Sequence, residues 1–111
     1  NNNLAWLYLE KGNVEQALVH AKTAFELAPQ IANVVDTYGQ ALLQSGDKVA
    51  ALTHASEAFE LTKGADIDIS LNYAEALIAN DHYDKAKVTL EAIQPQTPLQ
   101  ESKKLTLATK L

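Results

Sequence analysis

Three histidines, fourteen carboxylates and no cysteine set the chemistry open to this 111-residue chain. Without cysteine there is no disulfide framework, zinc–thiolate site or thiol nucleophile, and the redox compartment stays open. His20 and His54 recur in matching local strings and invite a reading as a metal pair. Two equivalent positions on neighbouring helices would hold them roughly 8–10 Å apart at the backbone, near the outer face, and no third ligand completes the set. His82 lies in Asn80-Asp81-His82-Tyr83-Asp84, which lacks the glycine and carboxylate order of a calcium loop and reads as a turn and helix start. There is no Gly-rich phosphate loop, no Ser-His-Asp set and no apposed carboxylate pair in an apolar setting. The residues therefore point away from catalysis and call for no cofactor and no metal.

Composition narrows the partners. Lysines number nine against the fourteen carboxylates, giving a net charge of -5, and arginine is absent. Arginine is the usual bidentate ligand for phosphate and guanine, so nucleic acid is excluded as a partner class. No basic amphipathic face offers itself to a bilayer, and no apolar run approaches the roughly 20 residues that span one, so direct membrane insertion is not expected. The apolar fraction, 47%, leans on alanine, which suits closely packed helices. The chain opens Asn1-Asn2-Asn3-Leu4 and contains no methionine, and reads as a piece of a longer protein.

The elements that position these residues follow from an internal repeat. Phe25-Glu26-Leu27 returns as Phe59-Glu60-Leu61, Gly12 as Gly46, and Ala17, Leu18, His20, Ala21 and Ala24 as Ala51, Leu52, His54, Ala55 and Ala58, all 34 residues on. A third copy follows at 35, with Tyr38-Gly39 on Tyr73-Ala74, Leu42 on Leu77 and Ala51 on Ala86. The same register carries Pro29 onto Pro98. A period between 20 and 50 residues marks a stack of supersecondary units.

At these residues the chain resembles the tetratricopeptide repeat family, whose signature places a large residue, Leu-Gly, Tyr, Ala-x3-Phe and Pro at fixed spacings. The copies read Leu4, Ala5, Tyr8, Gly12, Ala17, Ala21, Pro29; then Tyr38, Gly39, Leu42, Gly46, Ala51, Ala55; then Tyr73, Ala74, Leu77, Ala86, Leu90. Asp81 stands where the third turn glycine belongs, and Lys63-Gly64 replaces the second closing proline. The resemblance implies an all-α fold, an α-α superhelix of about three helix-turn-helix repeats with a C-terminal capping helix. One domain over 1–111 is expected, with repeats near 1–31, 32–65 and 66–98 and the cap at 99–111.

Helices are predicted near 2–11, 14–28, 31–45, 48–62, 67–80, 83–94 and 99–110. Asn13, Asp47 and Asp81 are the candidate caps for the second helix of each pair. The last helix aligns Leu107-Ala108-x2-Leu111 with the Leu-Gly-x2-Tyr positions, and its Lys103, Lys104 and Lys110 fit the polar outer face that ends a solenoid.

One stripe of each first helix faces its partner, and the next stripe faces the concave surface where such arrays bind. That stripe holds Asn2, Trp6 and Leu9; then Asn33, Asp36, Gln40 and Leu43; then Asp68, Leu71, Asn72, Glu75 and Ile78. The Leu9, Leu43 and Ile78 series is expected to be mostly core, and Asp36, Asp68 and Glu75 to be solvated charges. Some family members grip a peptide carboxylate with lysine, arginine and asparagine here. This stripe keeps Asn2, Asn33 and Asn72 without a lysine or arginine, and so favours a neutral or basic segment of a protein or peptide partner.

The expected function is a non-catalytic interaction scaffold whose partner-binding residues are Asn2, Trp6, Asn33, Asp36, Gln40, Asp68, Asn72 and Glu75. The alternative is a structural module that caps a longer array or forms a homodimer through Leu4, Trp6 and Leu7 on the first helix. The strings Asn2-Asn3-Leu4-Ala5-Trp6-Leu7, Leu27-Ala28-Pro29 and Val35-Asp36-Thr37-Tyr38-Gly39 also resemble the C-terminal end of long bacterial repeat proteins, among them the lipoproteins associated with exosortase sorting. That resemblance implies a bacterial origin at the cell envelope, with the cytoplasm as the competing compartment.

Overall fold

Polar caps and left-handed turns cut the chain into helices. In the computed structural model, residues 2–111 are described, and among them the elements are α1 (Asn2–Glu10), α2 (Val14–Leu27), α3 (Ala32–Ser45), α4 (Lys48–Thr62), α5 (Ile67–Ala79), α6 (Tyr83–Glu91) and α7 (Pro98–Ala108), with no strand. The side chains of Asn13, Asp47 and Asp66 accept the backbone N–H of Gln16, Ala50 and Ile69, satisfying donors that the first helical turn leaves free. Asp81 does not cap. It adopts φ 62, the left-handed conformation that Gly12 (φ 77) and Gly46 (φ 97) take at the equivalent turns, and His82 precedes α6 without a side-chain cap bond.

Consecutive helices pack pairwise, α1 on α2 through α5 on α6, while α1, α3, α5 and α7 also lie side by side. The odd helices thus form an inner layer and α2, α4 and α6 an outer one. Small residues set the spacing: Ala5, Ala17, Ala21 and Ala41 form one core cluster, and Ala55, Ala76 and Ala86 join Tyr73 and Leu77 in another. At Gly39 the α3 and α4 backbones come so close that a Cβ would lie 3.3 Å from Ala55 N and 3.4 Å from Ala51 O. Burial of these faces, not helix propensity, holds such short helices.

The last helix departs from the expected register. Thr97 caps it in a capping box with Gln100, with Pro98 in the first turn. The N-cap residues Asp66 and Thr97 are 31 positions apart, whereas Ile31 and Asp66 are 35 apart. Helix α7 therefore enters about one turn out of phase with the 34-residue alignment, and Leu111 falls beyond its end. Pro98 is a helix-start residue, whereas Pro29 lies in the turn before α3. Leu107 is buried against Leu71, Ala74, Leu90 and Ile93, which seats α7 on the last repeat.

The three C-terminal lysines do not together form a polar outer face. Lys104 donates to the Ile93 carbonyl at 2.7 Å, Lys103 turns into the inner layer, and only Lys110 is exposed. The histidines depart from expectation too. His20 stacks on Tyr8 with ring centroids 5.5 Å apart, and His54 packs between Phe25 and Tyr38, 4.8 Å from each. Both are interhelical packing residues, not outer-face ones, because their rings meet aromatic rings of neighbouring helices.

Candidate groove on the inner layer

The inner helices line an open recess of about 590 Å³, to which α1 gives Asn2, Asn3 and Trp6, α3 gives Asn33, Asp36 and Thr37, and α5 gives Asp68, Leu71 and Asn72. The α7 side is Thr97, Leu99, Gln100 and Lys103. Six of the eight predicted site residues meet here: Asn2, Trp6, Asn33, Asp36, Asp68 and Asn72. Gln40 is buried in the helix packing, and Glu75 lies beside the recess, paired with Lys103 at 3.1 Å. Leu9 is core, and Ile78 packs against two core clusters.

The polar groups form a connected set. Asn72, nearly buried, donates its amide to both Asp36 oxygens at 3.1 Å each, and its carbonyl oxygen accepts from Lys103 Nζ. Gln100 Nε2 donates to Asp68 Oδ1 at 3.2 Å. Asn2 Oδ1 is buried without a hydrogen-bond partner, an acceptor left facing this side of α1. The Lys103–Glu75 contact is a charge pair and lacks hydrogen-bond alignment, since Glu75 Oε1 makes no hydrogen bond.

Asp36 is not the solvated charge expected of a helix carboxylate. Burial raises its pKa to about 6, against the lowering effect of the Asn72 amide and Lys103, and Asp66 and Asp68 add to the rise. Trp6, half exposed at 50%, and Leu99, exposed at 84%, supply the apolar surface at the two ends of the recess.

Lys103 corrects the expectation of a groove without a cation. It was out of sight because the 34-residue register places it one turn away from the groove. The capping signal Thr97-Pro98-x-Gln100 would have anchored the helix and brought Lys103 level with Asn72.

Among the described residues no group of three or more histidines and carboxylates is arranged to hold a metal ion, and no helix is long and apolar enough to cross a membrane. Comparison with curated proteins gives no match. Two family models for the tetratricopeptide repeat match, one over residues 42–108 and the other over 1–31. With the paired helices, the alanine-spaced interfaces and these matches, the chain belongs to the tetratricopeptide repeat family.

Proposed function

We propose that the inner-layer groove binds an extended, neutral or lysine-bearing segment of a protein partner. Tetratricopeptide repeats are non-catalytic modules of protein–protein interaction. The observation that carries it is the convergence of Asp36, Asp68, Asn33 and Asn72 with Trp6 on one recess of about 590 Å³. Its wall already holds one ammonium group, since Lys103 donates to Asn72 Oδ1 and lies 3.1 Å from Glu75. A partner lysine reaching Asp68 would find the same kind of acceptors, and backbone amides of an extended segment would meet the side-chain amides.

Trp6 is the sole tryptophan, so its fluorescence reports occupancy directly. A lysine-bearing octapeptide and its glutamate counterpart, titrated at low and high salt, test the reading. The basic peptide is expected to bind tighter at low salt and to lose the advantage at high salt. Tighter binding of the acidic peptide overturns it.

A second reading is self-association through α1, favoured by the exposure of Leu4 (42%), Trp6 (50%) and Leu7 (51%) on one short helix. Light scattering over a concentration series separates the two. A dimer that dissociates on Trp6→Ala supports assembly, and a monomer at all concentrations removes it.

A further inference from the structure

The interface between the first two repeats is filled by side chains that the next interface lacks. No Cα of α2 comes within 8 Å of one in α4, nor any of α4 within 8 Å of α6, so side chains must bridge each gap in the outer layer. Between α2 and α4 the bridge is a ring cluster. The His54 ring lies 4.8 Å from both Phe25 and Tyr38, which are 5.1 Å from each other, and Glu57 Oε1 stands 2.7 Å from His54 Nδ1.

One repeat later, Phe59 and Tyr73 keep their ring contact at 4.6 Å, but Thr89 stands at the His54 position and Ala92 at the Glu57 position. Gln94 replaces the third phenylalanine, and α6 stops at Glu91. What remains is a recess of about 540 Å³ bounded by Phe59, Tyr73, Thr89 and Ala92, with Glu60 and Lys85 also lining it. Gly64 lines it as well, at φ +72, where a Cβ would come 3.1 Å from Phe59 Cζ. The Thr89 hydroxyl is turned back to its own helix, donating to the Lys85 carbonyl at 2.8 Å, and does not bridge the gap.

We infer that this outer-layer recess is a second binding site, which receives an aromatic side chain of a protein partner, of imidazole to indole size. The occupant is argued from the chain itself: the preceding interface seats the His54 ring against Phe25 and Tyr38, the pair equivalent to Phe59 and Tyr73. Aromatic rings gain from tilted and edge-on contacts at these centroid distances beyond the area they bury. Among the lining side chains Glu60 is an acceptor for an imidazole N–H, an indole N–H or a phenol O–H, which favours histidine, tyrosine or tryptophan over phenylalanine. The site shares no lining residue with the groove and does not depend on what the groove binds.

The test is amide-resolved NMR of the whole chain titrated with N-acetyltryptophanamide, N-acetylhistidinamide and N-acetylleucinamide. The aromatic amides should give saturable shifts at Gly64, Ala65 and Thr89 with midpoints on the order of 1 mM, and the leucine amide should bind about tenfold more weakly. Thr89→His with Ala92→Glu rebuilds the filled interface and should lower aromatic binding at least about tenfold. Thr89→His alone is the second blocked variant, should the double variant fold poorly. Equal binding of the leucine amide, no saturable shift at these residues, or undiminished binding to a folded blocked variant overturns the site.

Discussion

Asn72 on α5 donates one amide group to both carboxylate oxygens of Asp36 on α3, at 3.1 Å each. Its carbonyl oxygen accepts from Lys103 on α7, so a single nearly buried side chain ties three inner helices together. The arrangement satisfies Asn72 but leaves Asp36 with an amide instead of a cation as its closest partner. Burial therefore outweighs the hydrogen bonds, and the carboxyl is pushed up to about 6.

Stability should accordingly fall as pH rises through this window. Between the ordinary value of 3.8 and about 6, the folded chain keeps a proton on Asp36 that the unfolded chain has lost. Each pH increment there favours unfolding, and above about 6 the penalty is constant, at most about 3 kcal/mol and less for the part of the group that water reaches. Asp36→Asn removes the titration while keeping an acceptor for Asn72. Its melting temperature should exceed that of the parent at pH 7 to 8, and the gap should close toward pH 4. Thermal melts across that range decide it, and an Asn variant less stable at pH 7.5 would contradict the assignment.

Lys103→Met should weaken the seating of α7. The Lys103–Glu75 pair is about one-third exposed on each side, so the pair itself contributes no more than about 1 kcal/mol. The loss of a donor to nearly buried Asn72 adds a cost of about 1 kcal/mol. Urea unfolding should show the sum, and its salt dependence should shrink. Because Lys103 lowers the Asp36 pKa, the variant should also raise it further, which NMR titration of the Asp36 carboxyl reads independently.

How much of this was legible before the structure depends on which signal carried it. Helix positions came from the alanine and aromatic repeat, and Asn13 and Asp47 cap as their placement after Gly12 and Gly46 suggests. The first-helix stripe also brought Asp36, Asp68 and Asn72 to one surface, because helical periodicity inside a repeat is rigid. Periodicity could not place α7, whose start is fixed by a capping box and whose register then follows Leu107 into the Leu71–Leu90 cluster. Nor could it show that His54 turns inward, since that depends on Phe25 of the preceding repeat meeting Tyr38 and His54 of the next. Asp36 looked like any helix carboxylate because its desolvation comes from neighbouring helices, which a single stripe does not record.

Gly39→Val should be among the most damaging single changes in the inner layer. The close approach of α3 to α4 leaves a first carbon only 3.3 Å from Ala55 N and 3.4 Å from Ala51 O, and both are backbone atoms that cannot swing aside. A branched side chain must push the helices apart, which costs about 1–3 kcal/mol in a packed interface. It would also disturb the Tyr38–His54 contact beside it, so near-ultraviolet circular dichroism should fall along with the urea midpoint. A Val variant as stable as the parent would mean that the α3–α4 spacing is not set by this glycine.

Asp81 offers a cleaner measurement of turn strain. It holds φ 62 where the other two repeats use glycine, and its carboxylate accepts from the Tyr83 hydroxyl at 2.9 Å. Comparing Asp81→Gly with Asp81→Ala cancels that bond, because both variants lose it. What differs is a Cβ in a left-handed conformation, partly offset by the greater freedom of glycine in the unfolded chain. The glycine variant should be more stable than the alanine one by about 1 kcal/mol. Asp81 also raises the Tyr83 pKa, first through the hydrogen bond and then through its charge. Both variants should therefore ionise Tyr83 at lower pH than the parent in a spectrophotometric titration. Equal stability of the two variants would show that the turn relaxes out of the left-handed region once Asp81 is gone, and the glycine at the matching positions would then need another reason.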